Sequence, residues 1–275
     1  MGRIIGILSG KGGVGKTTLA ANLGTVLSNE YKKRVVLIDA NVTAPNLDLH
    51  FGLYDESKFT LRDVLNGRAS LEEAINVCSK TGVKIIQSPL SKGKINLKNL
   101  KSILKKLEKT HDIIILDCAP ALGEEVSQII GMIDEAIIVT MPLIPEVASA
   151  LKTINSLNDR KKVILGLVVN RTKNKSYELK IDEIKAVSKL PVLSIIQEDA
   201  RVPNSISEGM PVVLYDKNSK VSTQFRRLAA NLIGEEFIEP NALERLMSLF
   251  SFKRRTTPSF VTENSESKVD EEIEF

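Results

Sequence analysis

Apolar residues in this chain gather in short unbroken runs, with longer amphipathic stretches between them. The runs are Ile4-Ile5-Gly6-Ile7-Leu8, Val35-Val36-Leu37-Ile38, Val83-Lys84-Ile85-Ile86, Ile113-Ile114-Ile115-Leu116, Ala136-Ile137-Ile138-Val139 and Val163 to Val169. Val192-Leu193-Ser194-Ile195-Ile196 adds a shorter, late one. Runs without alternation are expected of parallel strands that helices cover on both faces. Lys16 to Asn29, Leu97 to Lys109, Pro145 to Leu157 and Glu178 to Lys189 place apolar residues at helical spacing. Strands alternating with helices predict a doubly wound α/β fold, a mostly parallel sheet with its ligands beyond the carboxyl ends of the strands.

After Pro240 the pattern changes. Asn241 is placed to cap a helix, Leu243, Leu246, Met247 and Phe250 follow at i, i+3, i+4 and i+7, and Phe252 and Lys253-Arg254-Arg255 come next. From Thr256 the chain is polar and acidic, a composition expected to stay disordered. The chain therefore divides into a domain over 1–238, an amphipathic segment over 239–255 and a tail over 256–275.

With 275 residues, 43% of them apolar, and mean hydropathy near zero, the chain can bury a full core. One domain is expected for the body, because the motifs below run from Lys11 to Asn170 and one sheet must gather them. There is no stretch long enough to span a bilayer, and Met1-Gly2-Arg3-Ile4-Ile5 enters a strand directly, so the cytosol is the expected compartment. Cys78 and Cys118 form no C-x-x-C pair and read as small packed residues. The formal charge of +4 is uneven: the last twenty residues carry −5, leaving +9 on Met1 to Arg255. A basic body points toward anionic partners, lipid headgroups or nucleic acid. The lysines from 92 to 109 sit above the stripe Leu97, Leu100, Ile103, Leu104 and Leu107, the pattern of a solvated helix face.

The first run leads straight into Gly10-Lys11-Gly12-Gly13-Val14-Gly15-Lys16-Thr17-Thr18, with a helix predicted from there on. This is G-x-x-x-x-G-K-T in its strand-loop-helix context. Glycines let backbone N–H groups converge on phosphate oxygens, and the helix start adds positive potential. Lys16 then reaches the terminal phosphates, and the Thr17 hydroxyl can ligate Mg²⁺.

Lys11 goes beyond an ordinary phosphate loop: K-G-G-V-G-K-T-T resembles the deviant Walker A motif of the MinD/ParA ATPases, closest to the MinD-like members. Val35 to Asp39 resembles the family's second strand ending in an aspartate, and Asn46-Leu47-Asp48-Leu49 resembles the N-L-D-L after it. Asp112 to Pro120 looks like the Walker B strand, and Val168-Val169-Asn170-Arg171 is similar to the N-R element. Glu198-Asp199 through Gly209-Met210-Pro211 resembles the late adenine-side loop, although Gln197 stands where a proline is common. The resemblance covers nearly everything from Arg3 to Leu232. It implies a P-loop NTPase fold, ATP and Mg²⁺ as ligands, and an ATP-sandwiched homodimer in which Lys11 crosses to the partner's phosphates. It further implies Thr17, Asp39 and Asp117 around the metal, with Asp117 acting through water, and Gly123 in a γ-phosphate-sensing segment. Asn170 either reads adenine, with Arg171 beside it, or caps a turn without touching ligand.

One departure bears on catalysis. The family's switch reads D-x-D, and its second aspartate is the best candidate for activating the attacking water. Here the sequence is Asp39-Ala40-Asn41. An amide can position water but cannot accept a proton at neutral pH. Asn41 therefore implies slow hydrolysis, with Lys11, Lys16 and Asp39 as the other catalytic residues. The segment 241–255 resembles MinD's membrane-targeting helix, which implies peripheral membrane attachment when ATP is bound and recruitment of an unidentified protein partner or cargo. Its apolar stripe would equally suit packing on its own fold or on a partner. A ParA-like partition factor binding DNA through residues such as Arg226 and Arg227 is the alternative. A metallocluster carrier is disfavoured by the missing C-x-x-C, and a related tyrosine kinase by a tail without tyrosine.

Overall fold

The computed structural model describes residues 1–54, 58–89 and 97–238. The amphipathic segment and acidic tail expected after 238, and Lys92 and Lys94, lie outside them. The strands are β1 (Arg3–Leu8), β2 (Val35–Ala40), β3 (Ile75–Val77), β4 (Lys84–Ile86), β5 (Ile113–Cys118), β6 (Glu135–Thr140), β7 (Val163–Thr172) and β8 (Val192–Gln197). The α-helices are α1 (Lys16–Asn29), α2 (Leu61–Leu65), α3 (Leu71–Ala74), α4 (Leu100–Leu107), α5 (Glu124–Met132), α6 (Ile144–Asp159), α7 (Ile181–Ser188), α8 (Arg201–Ser207), α9 (Val212–Tyr215) and α10 (Lys220–Ile233). Single 3-10 turns lie at Asp48–Phe51 and Leu97–Asn99.

All strands join one sheet in the order β3-β4-β2-β5-β1-β6-β7-β8, parallel throughout except where β3 runs antiparallel to β4. The unbroken apolar runs are explained by burial on both faces. In β1, Ile4 and Leu8 enter one core with α4, α5 and α6, while Ile5 and Ile7 enter the other with α1 and α10. Helix α4 begins at Leu100, after a 3-10 turn, and not at Leu97. It buries Leu100, Ile103, Leu104 and Leu107 and leaves Lys101, Lys105 and Lys106 exposed, so these lysines form a solvated face. No helix among the described residues is long and apolar enough to cross a membrane.

Strand order sets where chemistry can gather. After β1 the chain moves to β2 on one side, returns to place β5 between them, and then crosses to β6 on the other side. The crevice beyond the carboxyl ends of β1, β2 and β5 is thus the switch point at which such sheets bind ligands.

Candidate functional site

The loop from Ser9 to Gly15 leaves β1 at that switch point and feeds α1. Gly10 abuts α6 so closely that an added Cβ would lie 2.2 Å from the Ser149 backbone carbonyl carbon. Gly15 caps α1 in the left-handed region, at φ +94, and no side chain caps the helix. The first-turn N–H groups of α1 are therefore left for an anion.

Lys16 is buried, with Nζ donating to Ser9 Oγ at 2.9 Å. Burial lowers its pKa, and the nearby charge of Asp117 opposes that shift. Lys11 points elsewhere: it is 43% exposed and ion-paired with Glu146 of α6 at 3.2 Å. The two lysines of the loop thus hold separate stations.

Asp39 and Asp117 are the penultimate residues of neighbouring strands in the same register, as Cα partners of β2 and β5. Asp39 accepts the backbone N–H of Asn41 on Oδ1, and those of Asn46 and Leu47 on Oδ2, each at 3.0 Å. Asp117 Oδ2 accepts from the Thr17 hydroxyl at 2.6 Å, and its Oδ1 is buried without a partner. Burial pushes both carboxyl pKa values up; the charge of Asp117 pushes Asp39 further, whereas Thr17 and Lys16 pull Asp117 back. An orphaned, buried carboxylate oxygen next to a threonine hydroxyl and a second carboxylate fits a hard divalent cation or its water ligands. Thr17, Asp39 and Asp117 are thus the residues that could hold Mg²⁺.

Asn41 is buried, and both ends of its amide are engaged by its own loop: Nδ2 donates to the Ala44 carbonyl at 2.7 Å and Oδ1 accepts the Ala44 N–H at 3.3 Å. Thr43 from the same loop meets Glu125 at the start of α5, 3.4 Å away. Gly123 precedes α5 and lines a separate hollow of about 450 Å³ with Thr43 and Glu125.

On the other flank, a cavity of about 600 Å³ is lined by Gly13, Gly15, Thr18, Asn170, Val202 and Phe225, among others. Asn170 donates to the Val14 carbonyl at 2.7 Å, tying β7 to the phosphate loop. Arg171 stands at φ +56, donates to the Gly13 carbonyl at 3.1 Å and pairs with Glu198 at 2.7 Å. The segment after Gln197 supplies the opposite wall. Asn170 is thus both tied to the loop and part of the cavity wall.

Sequence reasoning picked out the loop from Gly10 onward but missed Ser9, His50 and Glu146. His50 reaches Thr18 and Asn46, and Glu146 reaches Lys11; no local pattern announces contacts made 32 and 135 positions apart. The basic residues named for DNA are spoken for. Arg226 pairs with Glu30 at 2.6 Å and donates to the carbonyls of Lys217 and Val213, and Arg227 lies over the Phe237 ring.

A family model for the CobQ/CobB/MinD/ParA nucleotide-binding domain matches residues 5–212, and the chain belongs to that family. MinD proteins are among the relatives it resembles. The septum site-determining protein MinD of Synechocystis is 34% identical over 244 residues, covering 86% of this chain and 91% of that protein. MinD of Bacillus subtilis is 32% identical, covering 86% and 90%. Among solved structures, Pyrococcus horikoshii MinD complexed with Mg-ADP matches with a TM-score of 0.80 at 34% identity, over 84% of this chain and 96% of that one. The Aquifex aeolicus MinC:MinD cell division protein complex matches with a TM-score of 0.80 at 28% identity, over 87% and 98%.

Proposed function

We propose that this protein is a MinD-like switch ATPase: Mg²⁺ and ATP join two copies, and the dimer recruits or positions a partner protein at a membrane surface. The observation that carries the reading is the division of labour between the two lysines. Lys16 lies inside the cradle, where it neutralises the terminal phosphates of its own nucleotide. Lys11 lies outside, held by Glu146, free to exchange that carboxylate for a phosphate presented by a second subunit. Backbone N–H groups of the loop and of α1 orient the phosphates, and Thr17, Asp39 and Asp117 hold the metal. Bound Mg²⁺ neutralises charge on the phosphate oxygens. The large cavity beside Asn170 takes the base.

Hydrolysis is slow in this reading. Asn41 cannot accept a proton, and its amide is already engaged with Ala44. Phosphoryl transfer depends mainly on positioning and charge neutralisation, so turnover persists. Membrane recruitment is assigned to 241–255, since two weak amphipathic segments on one dimer bind better through effective concentration. The DNA-binding alternative is weakened by the internal pairing of Arg226.

Two measurements test the proposal. Lys11→Ala is expected to bind ATP with Mg²⁺ and to stay monomeric in sedimentation, where the parent chain dimerises. In parallel, ATP-loaded protein is expected to co-sediment with anionic liposomes and not with duplex DNA. DNA preference would turn the reading to a partition factor, and a parent chain that stays monomeric with ATP would remove the switch.

A further inference from the structure

Asn46 spends three polar groups on the site. Its backbone N–H donates to Asp39 Oδ2 at 3.0 Å, its carbonyl accepts from His50 Nδ1 at 3.2 Å, and its side-chain Oδ1 lies 2.9 Å from the Thr17 hydroxyl. The carbonyl can only accept, so His50 Nδ1 carries the hydrogen and Nε2 is left to accept from the Thr18 hydroxyl at 3.2 Å. His50 is buried and thereby braces Asn46 against the first turn of α1.

The Thr17 hydroxyl has a single proton and two acceptors within reach, Asp117 Oδ2 at 2.6 Å and Asn46 Oδ1 at 2.9 Å. It can serve one at a time. We infer that Asn46 is a positioning residue for the divalent metal. Its carboxamide oxygen accepts the Thr17 O–H hydrogen bond when the threonine oxygen would offer its lone pairs to Mg²⁺, and both oxygens of Asp117 would then be left for the metal's water ligands. An amide suits this place. It accepts a hydrogen bond without adding a third negative charge beside Asp39 and Asp117, two carboxylates already buried side by side. The His50 brace sets the distance, so metal loading at Thr17 and the loop from Asn41 to Leu47 are mechanically joined.

The inference rests on the Mg–nucleotide reading above, and one experiment separates the two. ATP is titrated calorimetrically into the full chain with EDTA and with saturating Mg²⁺, and the half-saturating Mg²⁺ concentration is measured at fixed ATP. The parent chain gains affinity from Mg²⁺; if it does not, the Mg–ATP reading itself fails. Asn46→Ala is expected to raise half-saturating Mg²⁺ by about tenfold, the scale of losing an outer hydrogen-bond partner at a metal site, while its affinity in EDTA stays within about twofold. Asn46→Asp keeps an acceptor oxygen in place but adds the third negative charge, so it is expected to keep the Mg²⁺ response while lowering ATP affinity in EDTA. Asn46→Gln moves the oxygen by one methylene and is expected to weaken it, which provides a second reading if the alanine variant does not fold. His50→Leu is expected to lose part of the response. An unchanged Mg²⁺ midpoint in Asn46→Ala or Asn46→Gln, or losses equal in EDTA and Mg²⁺, would overturn the inference.

Discussion

Replacing Gly15 with alanine tests the join between the phosphate loop and β7. An added Cβ would sit 2.2 Å from Asn170 Nδ2, on a residue whose φ is +94. Two costs follow. Holding a non-glycine residue in the left-handed region costs about 1–2 kcal/mol. Displacing the Asn170 amide strips the Val14 carbonyl of its 2.7 Å hydrogen bond, and a buried polar group left unsatisfied costs about 1–3 kcal/mol. The sum, roughly 2–5 kcal/mol, lowers Tm by roughly 4–20 °C in a domain of this size. Thermal denaturation measures that term, and ATP titration measures the accompanying loss, since Asn170 lines the cavity assigned to the base. In an Asn170→Ala background the clash is gone, so the further cost of Gly15→Ala is expected to fall to the backbone share of about 1–2 kcal/mol. A Gly15→Ala protein that melts with the parent chain and binds ATP equally well would refute the reasoning.

Three further outcomes are expected. Asn41→Asp raises the single-turnover hydrolysis rate while ATP binding is kept; equal rates would show that position 41 does not govern the water. The raised pKa values of Asp39 and Asp117 mean that the folded, metal-free protein holds protons more tightly than the unfolded chain does. The pair's contribution to stability is therefore fully present below the ordinary carboxylate range and is lost as pH rises from about 4 through neutrality, opposite in sign to that of Asp112 and Glu198, whose pKa values are lowered. Relative to an Asp39→Asn variant, the metal-free Tm is expected to fall across that interval; a difference that does not change with pH would contradict the burial argument, and Mg²⁺ with ATP should flatten the fall. Truncation before Thr256 removes the acidic tail and is expected to strengthen co-sedimentation with anionic liposomes; identical binding would discard charge repulsion as the tail's role.

The sheet was legible because burial on both faces leaves a signal within each strand, and Ile113 to Leu116 could be little else. β3 was not. Ile75-Asn76-Val77 is short, lies at the sheet edge and leaves Val77 exposed, so no continuous apolar run marks it. The loop motif fixed Lys16 and Thr17 because the chemistry demands adjacent residues in order. Resemblance was needed for Asp117 and Asn170, whose relation to the loop depends on strand order. His50 and Glu146 escaped both routes: each is one polar side chain at a helical turn, and its role exists only after that turn has packed, His50 against α1 and Glu146, on α6, beside the loop.

The pairing of Asp39 with Asp117 across β2 and β5 carries one more consequence. Their separation is dictated by the ladder between two central strands, which cannot slip by one residue without exchanging the side chains packed in the two cores. A loop could swing one acid aside; these strands cannot. The domain is thus folded around two acids whose closeness must be neutralised by a proton or, in the function proposed above, by a cation, and much of what nucleotide loading does to this protein should appear as a change in its resistance to unfolding as well as in its choice of companions.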